Sequence, residues 1–263
     1  MRFIDTHCHL DQILEKLDLR DFETLRRDYL PPDFEACLTV SCDPDSIEPA
    51  LALMEHEGVY GAFGIHPHDA ARYTPDVEAR IAAALKHPKC AAYGEIGLDY
   101  HYDSSPRDVQ RENFAHQIGI GISAGKPLVI HTREAEEDTL AIMRQQVPRD
   151  WPIHVHCFTS SRGLAEALLA DFDDLHIGFT GIVTFRNADD VRETARLVPL
   201  NRLLVETDGP YLAPAPHRGK PAHPGHIPLI LDKLAEIRDE ERAVVATATL
   251  ENARRLYRMG RVG

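Results

Sequence analysis

The chain has 263 residues, of which 43% are hydrophobic and 27% are charged. This composition is typical of a globular protein with a sizeable core, and it excludes a fibrous or extensively disordered chain. The formal net charge of −13 argues against a broad basic surface, through which duplex nucleic acid is normally bound. Positive charge for an anionic substrate would therefore have to be local.

The cysteines and the hydropathy pattern suggest where the protein is found. Five cysteines, an odd number, form no Cys-x-x-Cys pair, so we expect reduced thiols rather than a disulfide framework. No apolar run is long enough to cross a bilayer, and no leader-like segment precedes the first strand-like run. We expect a cytoplasmic protein with no membrane association.

Short apolar runs alternate with stretches of helical periodicity along the chain. In chain order, we predict strand 3–5, helix 21–30, strand 36–40, helix 46–56, strand 59–64, helix 76–86, strand 91–95, helix 109–124, strand 128–131, helix 134–147, strand 153–156, helix 163–170, strand 175–178, helix 189–197, strand 203–208 and helix 229–237. Eight strands alternating with helices predict an α/β fold, a closed (β/α)8 TIM barrel in which residues 1–263 form a single domain. A loop rich in proline and histidine, 211–228, follows the last strand.

Potential metal ligands occur at or just after the ends of these strands. His7 and His9 are two residues apart, so in an extended segment both imidazoles lie on one face. The other candidates are Glu95, His131, His156 and Asp208. A single histidine beside an apolar run is more often a hydrogen-bonded core residue, but six residues in equivalent positions favour one site at the C-terminal face of a barrel. An open doubly wound sheet would instead place them in a row.

This ligand set predicts two divalent ions, because one catalytic ion with an open position rarely uses six protein ligands. Imidazole with carboxylate suits Zn²⁺ or Mn²⁺ well and Mg²⁺ less well. We place His7, His9 and Asp208 on one ion, His131 and His156 on the other, and Glu95 between them. Asp208 is also the candidate to orient a water molecule or accept its proton.

Other polar residues are candidates for contacts with a substrate. We expect His66 to hold a substrate oxygen, whereas for His68 a surface-loop role is equally compatible. Arg133 is suited to bind phosphate, or it forms an ion pair with a neighbouring glutamate. Glu206, two residues before Asp208, is expected to share its face and to bind a further ion or accept a hydrogen bond from a ligand histidine. The remaining candidates are Arg218 and Lys220 in the loop 211–228, for an anionic substrate, and Tyr100, Tyr102, Phe158 and Tyr211, which suit either base stacking or packing.

Six sequence motifs, in order along nearly the whole chain, resemble the TatD family of metal-dependent hydrolases. They are Phe-Ile-Asp-Thr-His-Cys-His-Leu-Asp at 3–11, Gly-Ile-His-Pro-His at 64–68, Gly-Glu-Ile-Gly-Leu-Asp-Tyr at 94–100, Pro-Leu-Val-Ile-His-Thr-Arg-Glu-Ala at 127–135, Val-His-Cys-Phe-Thr at 155–159 and Glu-Thr-Asp-Gly-Pro-Tyr-Leu-Ala-Pro at 206–214. The resemblance implies a TIM barrel, a divalent-metal centre at the six residues above and, in many members, deoxyribonuclease activity at a DNA end. The chain departs from the family pattern at 221–224, where it reads Pro-Ala-His-Pro.

Three functions follow from these observations. The leading hypothesis is a metal-dependent hydrolase of DNA phosphodiesters that acts at a strand end and needs no obligate protein partner. The alternative is a two-metal hydrolase of a small amide, lactone or ester, which the acidic composition favours. A structural metal in a binding protein fits poorly, because structural sites are usually closed and rich in cysteine.

Overall fold

A computed structural model describes residues 1–259; residues 260–263 of the predicted domain lie outside the described residues. The structure confirms the predicted TIM barrel. Eight parallel strands pair in the sequential order β1 to β8. The strands are β1 Phe3–Cys8, β2 Phe34–Ser41, β3 Val59–Phe63, β4 Cys90–Asp99, β5 Leu128–Arg133, β6 Ile153–Val155, β7 Leu175–Phe179 and β8 Leu203–Val205.

Helices connect the strands around the outside of the barrel. The α-helices are α1 Leu10–Lys16, α2 Phe22–Tyr29, α3 Ile47–Leu53, α4 Pro75–Ala84, α5 Arg107–Ser123, α6 Glu136–Gln146, α7 Arg162–Asp171, α8 Asp189–Leu197, α9 Ile227–Arg238 and α10 Arg242–Tyr257. Among the described residues, no helix has both the length and the apolarity that a bilayer crossing requires. Nearly every strand residue is buried, as expected for a parallel sheet covered on one face by helices and filled on the other.

Several predicted boundaries were wrong, and two helices were not predicted. β1 continues to Cys8 instead of ending at residue 5, and β4 continues four residues beyond Glu95 to Asp99. β5 likewise passes His131 and ends at Arg133. The short helix α1 and the long C-terminal helix α10 had no counterpart in the prediction. Glu95 and His131 therefore lie within their strands rather than at the ends.

The barrel is nearly closed, and its seam lies between β8 and β1. Instead of a regular ladder, the described residues show one isolated bridge between Cys8 and Gly209. The backbone N–H of His9 donates to the carbonyl oxygen of Gly209 (2.8 Å), and that of Asp208 donates to the carbonyl oxygen of His7 (2.9 Å). The first and last strands thus meet at the predicted ligands.

Helix α10 packs across the end of the barrel opposite the predicted site. Its Leu250, Ala253, Leu256 and Tyr257 cluster with residues of the barrel interior. The interior residues are mainly small or aliphatic: Ile4, Ala36, Leu38, Val40, Ala62, Ala92, Val129 and Leu204. This packing leaves the C-terminal ends of the strands as the open face of the barrel.

Candidate metal centre

The six predicted ligands converge at the C-terminal ends of the strands. Their nitrogen and oxygen atoms form overlapping groups in which all ligand atoms lie within 4.8 Å of one another. The groups are His7, His9 and Glu95; His7, His156 and Asp208; and His66, Glu95 and His131. The six candidate ligands are thus brought together, and His66, for which we predicted a contact with a substrate oxygen, lies among them.

Glu95 is the central carboxylate of the cluster. Its Oε1 lies 2.6 Å from His156 Nε2 and 3.0 Å from His131 Nδ1, whereas its Oε2 lies 3.3 Å from His7 Nε2. His66 Nε2 is 3.4 Å from Oε1. The two oxygens therefore face different histidines, as a bridging carboxylate requires. Burial acts to raise the pKa of Glu95, but the surrounding His156, His66 and His131 lower it well below its ordinary value.

The buried imidazoles have the properties of metal ligands. Both ring nitrogens of His7, Nε2 of His131 and Nδ1 of His156 are buried without a hydrogen bond of acceptable geometry. Buried polar atoms of this kind need an explanation, and an ion is one. Burial, and then the nearby His156, lower the pKa of His7 to about 4, so its ring is neutral near pH 7, the form that binds metal. The residues present thus fit a divalent cation.

Hydrogen bonds behind the cluster orient two of its members. His9 Nδ1 donates to the carbonyl oxygen of Val40 (3.0 Å), and its Nε2 faces Asp208 Oδ1 at 3.5 Å. Asp5 is fully buried and accepts from the backbone N–H of Thr207 (2.9 Å) and of His7 (3.3 Å). Because it bonds to both sides of the seam, Asp5 fixes His7 relative to the Asp208 segment. Such outer hydrogen bonds commonly set the orientation of metal ligands.

Asp99 is a site residue that the sequence analysis missed. It is buried at the end of β4 and accepts from His68 Nε2 (2.9 Å), with His131 Nε2 at 3.4 Å. A Cβ on Gly97 would lie 1.9 Å from the carbonyl oxygen of His131, so only glycine permits this approach of β4 to β5. If β4 continues beyond Glu95, every second residue lies on the same face of the strand, so Glu95, Gly97 and Asp99 share a face. That alternation would have identified Asp99 as a site residue.

Of the predicted substrate contacts, the structure places five in the cavity over the cluster, including Tyr102 and Tyr211. This cavity has a volume of about 620 Å³ and is lined by His66, His68 and Arg133, among others. No salt bridge of Arg133 is found within residues 1–259; its guanidinium instead lies 4.8 Å from the ring centroid of Tyr102. The ion pair with a neighbouring glutamate, considered as an alternative, is therefore not formed there.

Arg218 and Lys220 do not line this cavity. The guanidinium of Arg218 stacks over the ring of Phe185, 3.6 Å from its centroid. Lys220 is exposed, and its backbone N–H donates to the carbonyl oxygen of His217. The loop 211–228 reaches the cavity through Tyr211 and Leu212 instead. The two cations are thus not brought to the site in this conformation.

Glu206 does not share a face with Asp208, contrary to expectation. β8 ends at Val205, and Asp208 has a φ of +52°, so strand alternation does not extend to it. Glu206 is fully buried and lies 2.9 Å from Nε2 of His154, which is outside the predicted ligand set. It also accepts from the backbone N–H of Cys157 and from Thr6 Oγ1. Through these contacts Glu206 holds His154 and the backbone at Cys157 in place below the candidate ligands.

The sequence matches a known family over almost its full length. The profile of the family described as TatD related DNase covers residues 4–258. An uncharacterized metal-dependent hydrolase of Bacillus subtilis, YabD, is 36% identical over 97% of this chain and 98% of its own. The human protein named 3'-5' RNA nuclease TATDN2 is 41% identical over 97% of this chain, which spans about a third (35%) of that longer protein.

Solved structures agree with this similarity. The crystal structure of YJJV, a TatD homologue from Escherichia coli K12, superposes with a TM-score of 0.86 at 26% identity and covers 98% of this chain and 99% of its own. A TatD family hydrolase of Entamoeba histolytica has a TM-score of 0.84 at 17% identity, with 98% of each chain covered, which shows the shared fold. The chain therefore belongs to the TatD family of metal-dependent hydrolases.

Proposed function

We propose that the protein is a divalent-metal-dependent nuclease that hydrolyses phosphodiesters at the end of a DNA strand. The convergence of His7, His9, Glu95, His131, His156 and Asp208 beneath an open cavity carries the proposal. A cationic side chain, Arg133, lines the same cavity without a carboxylate partner among the described residues. The family name, TatD related DNase, and the nuclease named among the relatives support a nucleic-acid substrate.

In this proposal the cluster would hold two divalent ions, and Glu95 would be a ligand to both. His7, His9 and Asp208 form one side of the cluster, and His131 and His156 form the other. When bound, Zn²⁺, Mn²⁺ or Mg²⁺ would supply Lewis acidity and lower the pKa of a coordinated water. The contacts around His7 and Glu95 favour the neutral form of the one and the anionic form of the other, which are the forms that bind a cation.

Asp208 is the proposed acceptor of the proton from the attacking water. Its side chain is 14% exposed, whereas that of Glu95 is 3% exposed. Its Oδ1 is the oxygen paired with both histidines, 3.5 Å from His9 Nε2 and 3.8 Å from His7 Nε2, which leaves Oδ2 for a water in the cavity. Arg133 would bind a phosphoryl oxygen and orient the phosphodiester for attack.

The setting of the enzyme is also part of the proposal. The five cysteines are free thiols in the structure, which fits a cytoplasmic location, where thiols stay reduced. We propose that residues 1–263 act as one domain and need no obligate protein partner. An oligonucleotide end and the metal ions would then be the only components that turnover requires.

The decisive experiment is hydrolysis of end-labelled DNA and RNA oligonucleotides, single-stranded and duplex, with each metal in turn. Chelator and the Asp208→Asn variant serve as controls, and circular dichroism verifies that the variant is folded. We expect a metal-dependent ladder on DNA that Asp208→Asn abolishes. Cleavage of RNA in place of DNA would correct the substrate, and full activity of metal-saturated Asp208→Asn would overturn the assignment.

A second candidate, hydrolysis of a small ester, lactone or amide, is favoured by two observations. Arg218 and Lys220 do not line the cavity, so Arg133 is its single arginine or lysine among the described lining residues. The net charge of −13 also disfavours long contacts with a polyanion. If no nucleic acid is cleaved with any metal, turnover of such esters and lactones becomes the expected result.

A further inference from the structure

Two exposed aromatic rings stand at the rim of the cavity. Tyr102 is 59% exposed and Tyr211 is 52% exposed, and both line the cavity. They are the two most exposed large hydrophobic side chains among residues 1–259; the others, Met1, Tyr29 and Val244, do not line it. Large apolar groups left in water beside a concave site commonly mark a binding surface.

The barrel topology places the two rings on opposite sides of the metal cluster. Tyr102 follows β4 and Tyr211 follows β8, and in the sequential eight-strand order these strands lie half a turn apart. Glu95 and the ligand histidines lie between them. A ligand centred on the cluster can therefore contact one ring on each side.

Each ring is oriented by its neighbours without being buried. Tyr211 Oη donates to Gln12 Oε1 (2.7 Å), and the ring of His9 lies edge-on at 6.3 Å. Tyr102 packs against the Arg133 guanidinium and is perpendicular to the ring of His68 at 5.3 Å. A held aromatic ring offers contact area at a small further cost in side-chain entropy.

We propose that Tyr102 and Tyr211 are stacking platforms for two unpaired bases, one on each side of the reacting phosphate. The inference rests on the proposed nuclease function and narrows its substrate to a single-stranded or frayed end. Every base presents an aromatic face, and proteins that bind single strands stack successive bases on aromatic side chains. Bases inside an intact duplex are stacked on one another and cannot reach such rings.

The charge of the protein agrees with this mode of binding. Because the protein has a net charge of −13, it would repel a long stretch of nucleic-acid backbone. Stacking, in contrast, draws its affinity from the bases. Arg133 lies beside Tyr102 and supplies positive charge where a phosphate next to a stacked base would lie. Affinity for two nucleotides then needs no extended basic surface.

The test compares matched single-stranded oligonucleotides, one intact and the others with an abasic residue at the terminal or the penultimate position. For the wild-type enzyme, we expect each abasic residue to lower kcat/KM by about 5- to 150-fold, the range of base–aromatic stacking. Tyr102→Ala should hydrolyse the intact substrate and one of the two abasic substrates equally well, and Tyr211→Ala should do the same for the other abasic substrate. On the intact substrate, each alanine variant should have a lower kcat/KM because its KM is higher. Tyr102→Phe and Tyr211→Phe should keep the discrimination, because the ring remains.

Tyr29→Ala, an exposed tyrosine away from the cavity, is the control and should behave as the wild type. Equal rates on intact and abasic substrates would overturn this inference alone, and so would discrimination that survives both alanine variants. Loss of discrimination in the phenylalanine variants would assign the effect to the hydroxyl groups and also overturn it. If the metal-loaded wild type hydrolyses none of the oligonucleotides, the nuclease proposal fails and this inference fails with it.

Discussion

Replacement of Glu95 by glutamine should weaken metal binding, so that metal no longer raises the stability of the barrel. Glu95 is the only one of the six candidate ligands whose oxygens approach both His7 and the pair His131 and His156. Glutamine has nearly the same shape, but it offers one neutral oxygen in place of two that share a charge. A bridge between two cations would be lost, whereas the size of the buried side chain is kept.

The expected change in Tm follows from the thermodynamic linkage between metal binding and folding. An ion that binds only the folded state at a concentration 100 times its Kd stabilises that state by about 2.7 kcal/mol. For a chain of this size, each kcal/mol raises Tm by about 2–4 °C, so one ion should raise the Tm of the wild type by about 5–11 °C. Two independent ions should give about twice that shift, and Glu95→Gln should lose most of it.

The assay is a thermal melt across a metal titration, combined with elemental analysis of bound metal per chain. Glu48→Gln is a matched control, because Glu48 is an exposed carboxylate paired with Arg80 and is not a member of the cluster; it should keep the full shift. A Glu95→Gln protein that binds two ions and shows the wild-type shift would refute the bridging role.

Three further predictions concern Arg133, the far end of the barrel and the loop 211–228. Arg133→Ala should raise KM for oligonucleotides by about 10- to 150-fold, the loss of a charge-assisted hydrogen bond; steady-state kinetics measure it, and an unchanged KM would contradict phosphate binding. Glu35→Ala leaves Arg254 without the carboxylate it contacts at 2.6 and 2.8 Å, so urea unfolding should show a loss of about 3–5 kcal/mol while kcat stays unchanged. Burial and two neighbouring histidines lower the pKa of His226 to about 3, below its ordinary 6.5. The unfolded chain therefore binds the extra proton first, and stability should fall as pH drops from about 6.5 toward 3. Urea titrations should show a shallower decline for His226→Gln, and an equal decline would exclude this histidine as a cause.

The sequence predicted the barrel and the cluster of candidate ligands well, because both depend on local patterns that repeat. Apolar runs alternate with helical periodicity eight times, and each candidate ligand lies at or near the end of such a run. The ends of the strands were harder to predict. The prediction ended the fourth strand at Glu95, whereas Gly97 allows the close approach of β4 to β5 and the strand continues to Asp99.

Features set by tertiary contacts could not be predicted. Strand alternation suggested that Glu206 and Asp208 share a face, but the positive φ of Asp208 turns the chain at that point. Helical periodicity did not reveal α10, whose buried face includes polar Asn252 and Thr249 bonded to backbone carbonyls. The stacking of Arg218 on Phe185 depends on two loops meeting, which no local pattern records.

The seam between β8 and β1 has a consequence for dynamics. His7 and His9 lie on one side of it and Asp208 on the other, and within residues 1–259 only a few backbone hydrogen bonds join the two sides. A cation held by all three side chains would act as a clasp between the first and last strands. Amide hydrogen exchange at His9 and Asp208 should then slow sharply on metal binding, while amides in the ladder between β5 and β6 change little. Metal binding would then both close the barrel between β8 and β1 and complete the site for catalysis.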